Sequence, residues 1–172
     1  MTWFWLLFAV VVLFGFVVFR GAPYVPSRKR ELTRAFTELY PLNKDDVLVD
    51  IGSGDGIVLR VAAEYRARAI GYELNPALVL ISRILSRRQP LVETRLADFW
   101  FVQLPADTTV VYVFGESRDI TKMANKVANE AKRLKKPLAF ISYGFVVPNM
   151  TPAKKVGAYY LYRFNSLQAD EA

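Results

Sequence analysis

The sequence VLVDIGSGDGIVLR, residues 47–60, decides the fold. It begins with an apolar run typical of a strand buried on both faces, continues into a loop with glycine at every second position, and passes directly into a helical pattern. Glycines in such a loop allow a tight turn and let the backbone approach a bound ligand. The order strand, glycine loop and helix predicts the first unit of an α/β sheet with a ligand site.

The same alternation continues on both sides of this unit. A helix before it would start after Ser27 and carry an apolar face, and Asn75-Pro76 predicts a later helix start at residues 77–88. Further strands are predicted at 69–74, 92–99, 108–115 and 137–145, with a helix at 120–134 and a last antiparallel strand closing the sheet edge at 156–164. This alternation predicts a doubly wound α/β domain with its ligand at the carboxyl ends of the strands. The predicted apolar face of the first helix consists of Leu32, Ala35, Phe36 and Leu39.

The composition restricts the available chemistry. The chain has no cysteine and no histidine, so disulfides, Cys/His metal sites and histidine-dependent catalytic sets are excluded, and no metal site is predicted. The formal net charge is +7, but Arg20, Arg28, Lys29 and Arg30 are grouped directly after an apolar segment. This grouping favours orientation at a membrane over nucleic-acid binding, so no nucleic-acid partner is predicted.

The apolar segment is WFWLLFAVVVLFGFVVF, residues 3–19. A helix of about 20 such residues spans ~30 Å of hydrocarbon. Its terminal tryptophans suit one membrane interface, and the basic cluster at the other end predicts that the remaining chain faces the cytoplasm. We predict a single-pass transmembrane anchor at 1–20, a basic linker at 21–30 and one domain at 31–172. A prokaryotic inner membrane is favoured, and a mitochondrial membrane stays open.

Acidic residues follow three predicted strands, at Asp50, Glu73 and Asp98. An acid ending the second strand reaches ribose hydroxyls, and Asp98 is placed to accept from an adenine amino group, with Phe99 packing on the ring. The loop carboxylates of Asp50 and Asp55 would repel a pyrophosphate but suit a ligand that has an ammonium group and no phosphate. S-adenosylmethionine is such a ligand.

Structural interpretations of the same residues exist. The glycine loop can be only a tight turn, Glu73 can support the helix start at Asn75, and Asp98 can cap a turn. An NAD-dependent oxidoreductase is disfavoured because its G-x-G-x-x-G pattern needs glycine or alanine where Ile57 stands. The three acids taken together, in order and at the right strand ends, favour the cofactor site.

These motifs resemble those of the class I S-adenosylmethionine-dependent methyltransferases over roughly residues 27–145, with VDIGSGDG at 49–56 as the first motif. The apolar anchor, APYVPS at 22–27 and GYELNP at 71–76 resemble more narrowly the membrane-associated protein-lysine methyltransferases that act on the adenine nucleotide translocase and on the c-ring protein of ATP synthase. The resemblance implies a Rossmann-like, mostly parallel sheet. It also exposes a departure, since only one clear strand follows the fifth where the family usually has two.

The resemblance implies roles for individual residues. Glu73 would contact the ribose and Asp98 the adenine of S-adenosylmethionine. The full predicted cofactor set is Asp50, Gly52, Ser53, Gly54, Glu73, Asp98 and Phe99, with the methionine part against the glycine loop.

The loop after the fourth strand occupies the position that many amino-methylating relatives use to contact the acceptor nitrogen. Glu116 in this loop is predicted to orient or deprotonate the amine, the alternative being a solvated loop acid. Tyr143 is a weaker candidate because tyrosines in strands more often pack. The aromatic residues of DFWF at 98–101 and GAYYLYRF at 157–164 are assigned to packing.

The acceptor is predicted to be a lysine on a small integral membrane protein, because an anchor raises the effective concentration of membrane-embedded acceptors. Two alternatives stay open. One is a methyltransferase for a lipid headgroup, quinone or other small membrane molecule, and the other is a non-catalytic module that binds the cofactor. The oligomeric state is not predicted.

Overall fold

One mixed β-sheet organises the chain. The structure is a computed structural model that describes residues 3–5, 28–114 and 119–165. Within these ranges the strands are β1 (Val47–Ile51), β2 (Arg68–Glu73), β3 (Val92–Leu96), β4 (Val110–Phe114), β5 (Leu138–Tyr143), β6 (Lys154–Val156) and β7 (Tyr159–Phe164). Their spatial order is β3-β2-β1-β4-β5-β7-β6.

The first five strands are parallel, as the sequence predicts. In the central strand β1, Leu48 lies in register with Ala69 of β2 and Val110 of β4, and every residue of β1 is buried. A strand covered on both faces is expected to be apolar throughout, which explains the run VLV at its start. Parallel strands end at the same edge of the sheet, so the residues that follow β1, β2, β3 and β4 share one edge.

Helices cover both faces of the sheet. The described helices are α1 (Lys29–Arg34), which continues into a π-helical turn (Ala35–Leu39), α2 (Ile57–Glu64), α3 (Pro76–Leu85), a short 3-10 helix (Phe99–Phe101) and α4 (Ile120–Leu134). Leu48 belongs to the core cluster that includes α1 and α2, whereas the next residue, Val49, belongs to the cluster that includes α4. This alternation is the period of two expected for a strand.

The helix starts agree with their sequence signals. The side chain of Asn75 accepts a hydrogen bond from the backbone N–H of Ala77 at 3.0 Å, and Pro76 is the first residue of α3, as predicted. The predicted apolar face of the first helix is fully buried. Helix α1 begins at Lys29, within the stretch predicted as linker, and Lys29 forms a 2.7 Å ion pair with Glu64 at the end of α2.

The end of the chain differs from the prediction of a single closing strand. Strand β7 is antiparallel to β5, but β6 pairs antiparallel with its other side and forms the edge. The expectation of only one strand after β5 was therefore wrong. β6 is short and its first two residues are exposed lysines, so it has no apolar alternation to mark it. Lysines on an edge strand are a common protection against unwanted pairing.

The predicted transmembrane anchor falls on residues 3–19, of which the structure describes residues 3–5. Among the residues that are described, no helix combines the length and the apolar character that a membrane crossing requires. The anchor stays a prediction from the sequence.

Candidate functional site

The predicted site residues gather at the carboxyl edge of the parallel strands. Asp50 lies in register with Gly71 on β2, and Glu73 ends β2 beside Leu96 of β3. Asp98 follows β3 by two residues. The charge of Glu73 acts directly on the Asp50 carboxyl and raises its pKa, so these two acids are close neighbours. The sheet topology thus assembles at one edge the acids that the sequence spreads over three strands.

The glycine loop between β1 and α2 has a backbone that only glycine adopts easily. Gly52, Gly54 and Gly56 have φ values of 71°, 55° and 78°. The backbone N–H groups of Gly52 and Ser53 both donate to the carbonyl of Tyr72, at 2.9 and 3.2 Å, which ties the loop to the end of β2. A Cβ at Gly52 would meet nothing within 4 Å, so this part of the loop faces open space in which a ligand can approach the backbone.

Glu73 holds the loop in place. One of its carboxylate oxygens, Oε2, accepts a hydrogen bond from the backbone N–H of Gly54 at 2.8 Å, and Oε1 accepts from the backbone N–H of Asn75 at 2.8 Å. The structural interpretation of Glu73 as support for a helix start is therefore realised. A carboxylate has about four lone-pair positions, so Glu73 keeps acceptor capacity for a hydroxyl donor such as a ribose.

Asp50 is a buried carboxylate with an unused oxygen. Its side chain is 2% exposed, and Oδ2 has no hydrogen-bond partner among the described residues. Burial, followed by the charges of Glu73 and Asp55, raises the pKa of Asp50 well above its ordinary value. Such a group is poorly solvated as an anion, and a cationic ligand nearby would stabilise its ionised form.

Asp55 is less available than the sequence suggests. Its Oδ1 accepts from the backbone N–H of Ile57 at 3.1 Å, and its Oδ2 lies 3.2 Å from Nη2 of Arg60, one turn into α2. Arg60 therefore offsets the Asp55 charge. The electrostatic argument against a pyrophosphate consequently rests on Asp50 and Glu73 rather than on both loop aspartates.

Ser53 is packed against the sheet. Its side chain is buried, and a Cβ placed on Gly71 of β2 would collide with the Ser53 side chain and with Leu59. Ser53 Oγ has no partner among the described residues. The close approach of the loop to β2 therefore requires glycine at position 71, and a ligand contact by Ser53 stays a prediction.

The residues after β3 divide into a cap and two kinds of aromatic side chain. Asp98 caps the 3-10 helix, because its Oδ1 accepts from the backbone N–H of Trp100 at 2.9 Å. Phe99 is only 5% exposed and has the ammonium of Lys126 5.0 Å from its ring centre, so little of its ring is open to an adenine. Its role in cofactor binding stays a prediction that this burial does not favour.

The assignment of all DFWF aromatics to packing was wrong for Phe101, which is 87% exposed, and Trp100 is also exposed. In a strand pattern an aromatic residue indicates packing, but the 3-10 helix turns these two rings outward. Only the short turn capped by Asp98 signalled this change of direction in the sequence.

The predicted acceptor side begins at the end of β4. Glu116 lies outside the described residues, so its role stays a prediction. Just before it, the ring of Phe114 lies 5.0 Å from the ring of Tyr143, and Tyr143 lies 4.6 Å from Tyr159, centre to centre. Tyr143 therefore packs between two aromatic rings, which agrees with the preference for packing over catalysis.

Proteins of known family resemble this chain over most of its length. The Xenopus laevis lysine N-methyltransferase named for the c-ring protein of ATP synthase is 33% identical over 133 residues, covering 76% of this chain and 56% of that protein. The adenine nucleotide translocase lysine N-methyltransferase of Mus musculus is 31% identical over 139 residues, covering 78% of this chain and 58% of that protein. The chain thus spans less than two thirds of the length of the curated relatives it matches.

A solved structure agrees with the fold. An RNA methyltransferase from Salinibacter ruber, in complex with S-adenosyl-L-homocysteine, superimposes with a TM-score of 0.72 at 28% identity, covering 81% of this chain and 92% of that one. The family model described as the ANTKMT methyltransferase domain matches residues 50–154, from the acid of the glycine loop to the first residue of β6. This match covers more than half of the chain, and the chain therefore belongs to the ANTKMT methyltransferase domain family.

Proposed function

We propose that the chain is an S-adenosylmethionine-dependent methyltransferase that methylates a lysine side chain of a membrane protein. The names of the Xenopus laevis and Mus musculus relatives support this class of acceptor. The cofactor part rests on one observation in particular. The unpartnered oxygen of buried Asp50 lies at the base of a loop whose Gly52 faces open space, and this combination suits a ligand that carries an ammonium group.

The edge of the sheet fits the chemical parts of S-adenosylmethionine. Asp50 would face the ammonium end, and Glu73 would use its remaining lone pairs for the ribose hydroxyls. Asp98 uses one oxygen to cap a turn and keeps the other for the adenine amino group. When bound, the cofactor supplies a methyl group already activated on a sulfonium, so no histidine or metal is needed in this chain.

The chain's own task is then to align the acceptor amine and remove its proton. A lysine amine has a pKa of ~10.4 in water and must be neutral to act as a nucleophile. Glu116 would accept that proton or orient the amine. It follows β4 directly after Phe114, whose ring contacts Tyr143, so these aromatic rings would form one wall of the acceptor entrance.

The membrane part of the proposal rests on residues 1–20 as a transmembrane anchor, 21–30 as a basic linker and 31–172 as the domain, with the domain on the cytoplasmic side of a prokaryotic inner membrane or facing the interior of a mitochondrion. An anchored enzyme meets membrane-embedded acceptors at a raised effective concentration. This arrangement supplies substrate selection that so small a domain does not need to build from its own insertions.

The test is methyl transfer from labelled S-adenosylmethionine by the full chain, given membrane protein, lipid extract and RNA as separate acceptors. RNA is included because the Salinibacter ruber neighbour is an RNA methyltransferase. Label on a lysine of an integral membrane protein, located by mass spectrometry, is the expected result. The Glu116→Gln variant should bind the cofactor normally and lose turnover, whereas Asp50→Asn should lose binding.

Other outcomes would replace the proposal. Label that partitions into organic solvent would indicate a lipid or small membrane molecule as acceptor, and label in RNA would contradict the lysine assignment. Tight cofactor binding without turnover on any extract would indicate a non-catalytic binding module. A folded chain that does not bind S-adenosylmethionine would remove the cofactor assignment itself.

A further inference from the structure

Helix α3 presents an apolar surface to the outside. Val79 and Ser82 face inward, where the Ser82 hydroxyl lies 2.7 Å from the Thr94 hydroxyl of β3. The opposite face, here called the α3 patch, consists of large aliphatic side chains that are 43–60% exposed. These are Leu80, Ile81, Ile84 and Leu85. A surface helix normally shows the reverse arrangement, with its apolar stripe toward the core.

The apolar surface continues toward the candidate site. Leu74 directly follows Glu73 and is exposed, and Leu96, which lies in register with Glu73 on β3, is exposed as well. The helix begins at Pro76, only three residues after Glu73. Whatever covers the α3 patch therefore lies next to the edge at which the cofactor would bind.

The charge around the patch has one sign. Residues 74–92 contain Arg83, Arg87 and Arg88 and no acidic residue. The guanidinium of Arg83 donates to the carbonyl of Thr94 at 2.9–3.0 Å, whereas Arg87 and Arg88 are exposed just beyond the end of the helix. Aliphatic side chains beside exposed arginines form the composition of helices that lie in the interface of a membrane with anionic lipids.

We infer that the α3 patch docks on an anionic lipid bilayer, with its aliphatic side chains below the headgroups and the two exposed arginines among the lipid phosphates. Arginine binds phosphate through several N–H groups at once. The inference rests on the proposed function in that both place the domain at a membrane. It adds that the domain lies against the bilayer through α3, which brings the edge with Glu73 to the level of the headgroups.

The absence of cysteine makes a direct test possible in the full chain. A single cysteine introduced as Ile84→Cys would carry an environment-sensitive NBD label. The matched control is Asn129→Cys, at an exposed position of α4 on the other face of the sheet. The labelled proteins are mixed with vesicles of phosphatidylcholine alone or with phosphatidylglycerol added, with and without lipids that carry a nitroxide quencher on the acyl chain.

The expected result is a blue shift and acyl-chain quenching of the label at position 84, stronger with phosphatidylglycerol, and neither effect at position 129. Adding Leu80→Gln and Leu85→Gln to the labelled Ile84→Cys protein should abolish the blue shift, since both side chains are exposed and their exchange leaves the core intact.

Three results would overturn the inference. The label at position 84 can stay in water while the protein floats with the vesicles, or it can be shielded before vesicles are added, which would mean that a second copy or another part of the chain covers the patch. Equal insertion into phosphatidylcholine alone would remove the role of the arginines. Lysine methylation is measured on the same proteins, so a failure of docking with methylation intact contradicts only this inference, and docking without methylation contradicts only the proposed function.

Discussion

The backbone N–H of Gly54 donates a 2.8 Å hydrogen bond to Oε2 of Glu73, so the residue predicted to hold a ribose also shapes the loop predicted to hold the methionine end. The other oxygen of the same carboxylate accepts from the backbone of Asn75 at the start of α3. Both oxygens receive N–H donors, which requires an ionised carboxylate with two acceptor oxygens.

Glu73→Gln should therefore destabilise the fold and weaken cofactor binding together. The amide would present an N–H₂ group to one of the two backbone donors, and we expect the free energy of unfolding to fall by about 1–3 kcal/mol. Denaturant unfolding and calorimetric titration with S-adenosylmethionine measure the two effects. Glu93→Gln is the control, because Glu93 is an exposed acid on β3 paired with arginines and surface pairs of this kind contribute little. Equal effects of the two variants would contradict the coupling.

The stability of the ligand-free protein should depend on pH through Asp50. Its pKa is raised by burial and by the neighbouring acids, so the folded chain holds this proton more tightly than the unfolded chain. The contribution of Asp50 to stability is therefore complete below about pH 4 and is lost as the pH rises through the raised pKa. The Asp50→Asn variant should lose this part of the pH dependence in denaturant unfolding, and at neutral pH it should be at least as stable as the wild type.

Cofactor affinity should show the opposite pH trend. A ligand ammonium stabilises the ionised Asp50, so binding of S-adenosylmethionine releases the proton and strengthens as the pH rises through that raised pKa. In Asp50→Asn the affinity should be weaker and should lose this pH dependence. Titrations in two buffers of different ionisation enthalpy would detect the released proton, and an unchanged proton release in the variant would assign it to another group.

Gly52 and Gly157 form a matched pair for testing the open face of the loop. Both have positive φ, of 71° and 60°, and a Cβ at either would meet nothing within 4 Å. Alanine at either position should cost about 1–2 kcal/mol of stability from backbone strain alone. Only Gly52→Ala should also weaken S-adenosylmethionine binding, because its methyl group enters the space proposed for the ligand. Equal affinities in the two variants would place the ligand elsewhere.

Gly71→Ala should destabilise the chain by overpacking. A Cβ at this position would collide with Ser53 and Leu59, and extra atoms in a packed core typically cost about 1–3 kcal/mol. Because Ser53 lies in the glycine loop, the same change should displace the loop and reduce cofactor affinity. Combining it with Ser53→Gly removes one of the colliding groups and should restore part of the stability in denaturant unfolding. No recovery in the double variant would assign the strain to Leu59.

The sequence by itself determined the parts of the fold that depend on local patterns. The apolar run before the glycine loop predicts β1, the Asn75-Pro76 pair predicts the start of α3, and the amphipathic repeat at 120–134 predicts α4 with its observed bounds. These signals are readable because burial on a helix or strand repeats with a fixed period, and because caps act within a few residues.

Only the tertiary structure decided which side chains are available at the edge. The pairing of Asp55 with Arg60, the burial of Phe99 beside Lys126, and the bond between Gly54 and Glu73 depend on where separate elements meet. The same holds for β6, whose short polar sequence forms a strand only because β7 offers it an open edge. Residue type and spacing bring the acids to one edge of the sheet, but contacts between elements distant in the chain determine which of their oxygens stay free.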